Sequence, residues 1–249
     1  MFSRKGLITG CGKGIGLAIA KKILKNEPNT LLICISRTVN EEIEKLKKEY
    51  YPRFLFHEVN INDYERIESV MEKFNNEHSA LDFAICNAGI RSRCSVLDAG
   101  IDLYKSIFEV NTLSNINIAK LLIQNSLNQK KKLNLLFLSS IVGSRGFDEL
   151  STYAVSKSAL EGFMKSAAIE YARKNIQINC LAPGFVESSY ANDFRKSKAE
   201  LYKWTIEQTP MGRWGTCNEI ADVAIFLVSE INSYMTGSVI YCDGGWTSK

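Results

Sequence analysis

The sequence predicts an α/β domain built on a doubly wound parallel sheet of about seven strands flanked by helices. Three observations lead there. Short apolar runs alternate with segments of helical period along all 249 residues. Some runs, such as Leu31-Leu32-Ile33-Cys34-Ile35, are continuously apolar, as suits a strand covered on both faces. A glycine-rich turn follows the first run and opens the first helix.

Taken in order, Gly6-Leu7-Ile8-Thr9 reads as the first strand and residues 15–25 as its helix. The second strand is 31–35, followed by a charged amphipathic helix over 41–50. A third strand, 54–59, leads to a helix over 63–78, and a fourth strand spans 81–86. One long helix is predicted over 103–127, then a strand over 133–138 and an Ala/Ser-rich helix over 151–173. The strand 176–181 precedes a looser polar stretch, 187–208; a helix over 218–229 and a last strand, 238–242, close the chain. Pro28, Pro52, Pro183 and Pro210 all read as lying between elements. With no repeat, low-complexity tract or linker, residues 1–249 are expected to form one domain.

Composition excludes several classes. With 45% hydrophobic and 23% charged residues the chain is ordinary for a globular protein, and no run approaches the length of a membrane span. Met1-Phe2-Ser3-Arg4-Lys5 lacks the layout of a signal peptide, so a cytoplasmic location is expected. The odd set Cys11, Cys34, Cys86, Cys94, Cys180, Cys217 and Cys242, without a Cys-x-x-Cys pair, reads as buried free thiols; no metal site is predicted. His57 and His78 are the only histidines and neither adjoins a candidate nucleophile, which leaves a Ser-His-Asp hydrolase little to build on. The net charge of +4 is weak, and no basic stripe interleaved with aromatics suggests nucleic acid. Lys130-Lys131-Lys132 is either a solvated loop face or a docking point for an acidic partner.

The turn Thr9-Gly10-Cys11-Gly12-Lys13-Gly14-Ile15-Gly16 does not fit G-x-G-x-x-G, which would need glycine at Ile15 or Leu17. It fits T-G-x-x-x-G-x-G, with Gly10, Gly14 and Gly16. Small residues there let the backbone approach a pyrophosphate at a helix N-terminus. A Walker loop is excluded by spacing. At the end of the second strand, selection for a free ribose 2′-hydroxyl usually places a carboxylate. This chain has Ser36-Arg37-Thr38 instead, with Lys13 in the glycine turn. Two basic groups and no carboxylate predict a 2′-phosphate, hence NADP(H) over NAD(H).

Tyr153 and Lys157 are spaced to share a helix face, with Ser140 upstream. An ammonium ~4 Å from a phenol favours phenolate by ~4 kcal/mol at an effective dielectric near 20. That suits a general acid or base near neutral pH.

The glycine turn, Asn87-Ala88-Gly89, Asn111, Ser139-Ser140, Tyr153-x-x-x-Lys157, Pro183-Gly184 and the closing Asp243-Gly244-Gly245 occur in this order. Together they resemble the short-chain dehydrogenase/reductase family over essentially the whole chain. The resemblance implies a single-domain Rossmann fold and a tetrad. In it Tyr153 protonates the carbonyl oxygen, Ser140 hydrogen-bonds that oxygen, Lys157 tunes Tyr153 and binds the nicotinamide ribose, and Asn111 anchors a proton-relaying water. It implies further that Asn87, Ala88 and Gly89, counted among the cofactor-binding residues, support the sheet next to the cofactor, that Pro183, Gly184 and Val186 contact its nicotinamide end, and that Asn60 and Ile61 stand at the adenine-contacting position.

The resemblance leaves two substrate classes open: a 3-oxoacyl thioester, with Lys131 and Lys174 placed like the carrier-docking residues of 3-oxoacyl-acyl-carrier-protein reductases, or a sugar, polyol or other small secondary alcohol. A third reading, a cofactor-binding sensor without turnover, has no use for the complete tetrad. In the family, residues 187–211 form the substrate lid; here they carry Tyr190, Phe194, Tyr202 and Trp204. A homotetramer or homodimer is expected from the family alone.

Overall fold

The computed structural model describes residues 2–249, apart from the side chains of Ser189, Tyr190, Asn192 and Asp193. Seven parallel strands form one sheet: β1 (Arg4–Thr9), β2 (Thr30–Ser36), β3 (Phe54–Glu58), β4 (Phe83–Cys86), β5 (Leu133–Leu138), β6 (Ile176–Pro183) and, numbered after two short strands described below, β9 (Val239–Cys242). Their order is β3-β2-β1-β4-β5-β6-β9. The direction of winding reverses between β1 and β4, and such a switch point opens a crevice at the carboxyl ends of the strands.

Alternate residues of each strand serve opposite faces. On one face Leu7, Ile33, Ala84, Leu135, Phe137 and Ile178 pack against α3 (Tyr64–His78), α5 (Ser114–Gln129) and α6 (Ser151–Tyr171). On the other, Ile8, Leu32, Cys34, Ile85 and Leu136 pack against α1 (Gly14–Asn26), α2 (Glu41–Glu49) and α9 (Cys217–Val228). These side chains are wholly buried or nearly so, and each leucine, isoleucine or phenylalanine among them contributes roughly 1.5–3 kcal/mol. The helix ends have local causes. Asn40 caps α2 by accepting from the Ile43 amide, with Glu41, Glu42 and Glu44 in its first turn and Lys47 and Lys48 in its last. Thr216 and Glu219 form a reciprocal capping box on α9.

Four expectations change. The helix predicted over 103–127 is broken into α4 (Ile101–Phe108), a π-helical turn at Glu109–Leu113, and α5. The stretch 187–208 is mostly helical, as α7 (Ser189–Ser197) and α8 (Ala199–Gln208), beside a two-stranded sheet of β7 (Val186–Glu187) and β8 (Gly215–Thr216). Pro183 is the last residue of β6, in register with Cys242, where no further amide is needed to continue the ladder. Cys11, Cys34, Cys86 and Cys180 are buried, but Cys94, Cys217 and Cys242 are only half-buried, because they lie in a loop, at the start of α9 and at the end of β9 respectively.

Candidate active site

The glycine turn leaves β1 at the switch point. Gly10 has φ +69°, and its amide donates to Ile35 O (2.8 Å). A Cβ on Gly10 would fall 2.8 Å from Ala88 Cα, and one on Gly16 would fall 2.6 Å from Asn87 Nδ2, so backbone, helix and the β4 loop meet with no room for side chains. Thr9 fixes that meeting: its buried Oγ1 accepts from the amides of Asn87 (3.1 Å) and Ala88 (3.0 Å). Asn87 Nδ2 returns bonds to Thr9 O and Gly10 O, both 3.0 Å. Gly14, at φ +58°, begins α1 after the exposed Lys13, and Ile15 follows half-buried.

At the ends of β2 and β3, Arg37 and Asn60 line a cavity of about 620 Å³ with Phe56, His57, Glu58 and Arg66. Ser36 adjoins it and lies against Gly12, where a Cβ would sit 3.1 Å from Ser36 Oγ. Ile61 is buried in the core, so its contribution to a ligand is limited to its backbone. Burial and the nearby Lys73 lower the His57 imidazole, with Glu77 acting the other way.

Asn111 is wholly buried within the π-helical turn. Its Oδ1 accepts from the Ile90 amide (2.7 Å), and its Nδ2 donates to Ile90 O (2.9 Å) and Ser156 Oγ (3.0 Å). Asn115 clamps the turn by donating from Nδ2 to Asn111 O (2.9 Å) and Val110 O (3.2 Å). On α6, Lys157 is buried and its Nζ donates to Leu138 O (2.5 Å) while lying 5.6 Å from the Tyr153 ring centroid. A Cβ on Gly89 would be 3.7 Å from Lys157 Nζ and 3.1 Å from Asn111 Oδ1, so the β4 loop, the π turn and α6 converge here. Ser140 Oγ accepts from the Val142 amide (3.3 Å), which leaves its own hydrogen to donate. Pro183 and Gly184 stand at the end of β6 beside Asp243, and Val186 follows in β7.

Tyr153 is partly exposed, and its ring packs with Phe147, Phe185 and Trp246 against Ile141, Val142 and Leu150. Trp246 stacks on Phe147 at 5.7 Å, meets Phe185 edge-on at 5.0 Å, and carries the half-exposed Trp204 of α8 at 5.7 Å. The arrangement sets the Tyr153 side chain among the residues of an aromatic wall.

Comparison with known proteins bears directly on this arrangement. A family model described as Enoyl-(Acyl carrier protein) reductase matches residues 10–247. The chain belongs to the short-chain dehydrogenase/reductase family. Within it, the chain is 33% identical to a 3-oxoacyl-[acyl-carrier-protein] reductase, FabG, of Aquifex aeolicus, over 96% of this chain and 95% of that one. Among solved structures it is similar to ElxO with NADP bound (28% identity, 99% of each chain, TM-score 0.91). It is also similar to a gluconate 5-dehydrogenase from Burkholderia cenocepacia in complex with NADP and tartrate (25% identity, 100% of this chain and 97% of that one, TM-score 0.90).

As a short-chain dehydrogenase/reductase this chain holds features its sequence did not disclose. Arg66, in the first turn of α3, joins Arg37 at one cavity: its guanidinium donates to Glu58 O (3.3 Å), and Glu58 pairs with Ser36 where β3 and β2 end together. Asn40 donates to Gly12 O (2.7 Å) as well as capping α2, and ties the glycine turn to that helix. Asp243 accepts from the amides of Gly245 and Thr247, both 2.9 Å, and so fixes Trp246 in the wall. In the 187–211 segment Phe194 is buried with Trp214, and Tyr202 meets the same ring edge-on; the Tyr190 side chain lies outside the described residues. Lys131 and Lys174 stand at the amino ends of β5 and β6, the opposite end of the sheet from Ser140. The six residues of β5 make that separation ~20 Å.

Proposed function

We propose that this short-chain dehydrogenase/reductase is an NADP(H)-dependent oxidoreductase that interconverts a ketone and a secondary alcohol, with Tyr153 as general acid/base. The reading rests above all on the single stripe of α6 that carries Tyr153 and the buried Lys157 beside the open Gly89. The cofactor fits two features of the chain. Gly10 and Gly16 let the turn pack tightly against the β4 loop, which sets the turn at the start of α1, and Arg37 at the cavity at the ends of β2 and β3 offers the charge a 2′-phosphate requires. When bound, NADPH supplies the hydride.

The residues divide the remaining work. Ser140, with its hydrogen free to donate, holds the carbonyl oxygen and stabilises its developing charge. Tyr153 delivers the proton to that oxygen. Lys157 spends one N–H on Leu138 O and keeps the others for the ribose and the proton relay. Both side-chain polar atoms of Asn111 are engaged, so it anchors the relay water through its main-chain carbonyl, which has room for a second donor beside Asn115. The cofactor contacts proposed are Gly10, Lys13, Gly14, Ile15, Gly16, Ser36, Arg37, Asn60, Ile61, Asn87, Ala88, Gly89, Pro183, Gly184 and Val186, with Tyr153 and Lys157.

The aromatic wall favours a 3-oxoacyl thioester or similar apolar ketone as substrate. A polyol buried against Phe147, Phe185 and Trp246 would leave hydroxyls without partners. A sugar or small polyol is the second reading, supported by the likeness to the gluconate 5-dehydrogenase. Carrier docking through Lys131 and Lys174 requires the tethered group to reach ~20 Å along the sheet or into a second subunit. One domain over residues 1–249, a homotetramer or homodimer, and a cytoplasmic location complete the proposal. Tyr153→Phe is the test. Turnover of acetoacetyl-coenzyme A, followed by NADPH absorbance, should fall at least ~100-fold with NADPH affinity retained; undiminished turnover refutes the mechanism.

A further inference from the structure

Ser140 follows directly on two residues that are themselves tied to α6. Leu138 O receives Lys157 Nζ, and Ser139 Oγ, buried, donates to Glu161 Oε1 at 2.5 Å. Tyr153, Lys157 and Glu161 are spaced four residues apart and share one stripe of the helix. Three successive residues of the β5 end therefore face three successive turns of α6: Leu138 at Lys157, Ser139 at Glu161, and Ser140 with Tyr153 as its working partner. Glu161 is almost wholly buried, an uncommon position for a carboxyl group, and no role in the acid/base chemistry reaches it.

Beyond Ser139, the same carboxyl packs on the loop that follows the catalytic serine. A Cβ on Gly143 would lie 2.5 Å from Glu161 Oε1 and 3.1 Å from Ser139 Oγ, so the turn Ile141–Gly143 closes directly over the pair. Gly143 O in turn accepts from Ser158 Oγ at 2.6 Å. Burial raises the Glu161 carboxyl above its ordinary range, against the opposing pull of Ser139, Lys165 and Lys157. The Ser139 hydroxyl is the donor that satisfies this buried carboxyl.

We propose that Glu161 is a positioning residue: through Ser139 it locks the β5 end in register against α6 and so sets the place of Ser140 relative to Tyr153. This rests on the reading of Ser140 and Tyr153 given above. Displacing a reacting group by ~1 Å lowers rates by up to ~100-fold. Glu161→Leu and Ser139→Ala should therefore each lower kcat by roughly 10- to 100-fold, with NADPH Kd and carbonyl KM within about twofold of wild type.

Glu161→Gln retains an acceptor for Ser139 and should keep kcat within about threefold. The double variant should be no slower than the slower single one, since both break one contact. Acetoacetyl-coenzyme A, or the sugar if that is the carbonyl turned over, is the probe. The proposal is overturned if Glu161→Leu or Ser139→Ala retains wild-type kcat, if Glu161→Gln is as slow as Glu161→Leu, or if the two losses multiply in the double variant. Should Glu161→Leu not fold, Ser139→Ala and Glu161→Gln decide by the same criteria. Tyr153→Phe, run alongside, separates the two levels: an active Tyr153→Phe refutes the acid/base reading whatever Glu161 does.

Discussion

Gly16→Ala probes the phosphate cradle through a clash whose parts can be itemised. The new Cβ would sit 2.6 Å from Asn87 Nδ2 and 2.9 Å from the Gly10 carbonyl carbon, closer still to its oxygen. Neither neighbour can withdraw freely. Gly10 is held by its amide on Ile35 O and by its φ of +69°, and Asn87 Nδ2 bridges Thr9 O and Gly10 O at 3.0 Å. Restoring ordinary contact needs a shift approaching 1 Å, and overpacking of that kind destabilises by ~1–3 kcal/mol. Losing the Asn87 bridge adds ~1–2 kcal/mol, and the better helix propensity of alanine returns ~1. The net, ~1–4 kcal/mol, corresponds to a Tm lower by ~2–16 °C in a chain of this size.

Gly162→Ala is the matched control, since no heavy atom lies within 4 Å of its added Cβ and only the propensity gain remains, raising Tm by ~1–4 °C. Both are read by thermal melts with and without NADPH, which should stabilise wild type but not Gly16→Ala. A Gly16→Ala protein that melts with wild type and keeps the full NADPH shift refutes the packing described for the turn.

Arg37→Asp should weaken NADPH by roughly 10- to 100-fold and NADH hardly at all; equal loss of both in a fluorescence titration refutes the 2′-phosphate assignment. Trp246→Ala removes the stack on Phe147 and the edge contact with Phe185, and should lower kcat/KM for an apolar 3-oxo substrate by ~10-fold without changing NADPH Kd. An unchanged kcat/KM would remove the wall from the substrate site. Arg213 first, then the Thr216 amide, holds the Glu219 carboxyl down at about 2. A depressed carboxyl stabilises the fold above its ordinary value of 4.5 and ceases to do so as pH falls toward 2. Melts of Glu219→Gln should accordingly lie below wild type at pH 7 and converge with it at the acid end, by a modest amount because the group is exposed. A gap that does not vary with pH refutes the assignment.

What could be read from the sequence follows from how local each signal is. The five inner strands were legible because two-sided burial writes itself as continuous apolar runs such as Leu31–Ile35, and the edge strands β3 and β9 because their short runs remain rich in apolar residues. Tyr153 and Lys157 were legible because four-residue spacing is fixed by helix geometry alone. The π-helical turn was not, since Glu109-Val110-Asn111-Thr112-Leu113 keeps a helical pattern. What marks the turn is a set of bonds from Asn115 and from Ser114 Oγ to Glu109 O. Arg66 reads as surface charge until strand pairing sets it beside Arg37. The wall of Phe147, Phe185 and Trp246 is spread over a hundred residues and carries no spacing at all. The polar look of 187–208 concealed two helices, one of which buries Phe194 against Trp214 in a small separate cluster.

The division between local and distant signals is also a division of labour. Asn111, Ser140 and Lys157 each spend hydrogen bonds on backbone in or just beyond a strand end, on Ile90 of the loop after β4, Val142 of the turn after β5, and Leu138 at the end of β5 respectively. Their positions are thus set by the main chain of the sheet, which changes little when surface side chains change. The aromatic wall is held differently, by ring contacts and by Asp243 near the chain's end, and it shares with Tyr153 the cluster around Ile141, Val142 and Leu150. Substitutions in the wall can therefore retune which carbonyl is accepted while the proton path stays intact. Substitutions at Ser139 or Glu161 should do the reverse, slowing every carbonyl alike. Comparing the substrate dependence of Trp246→Ala with that of Ser139→Ala separates the two roles. A loss at Ser139→Ala confined to one substrate class would show that the β5 end, and not the wall alone, carries specificity.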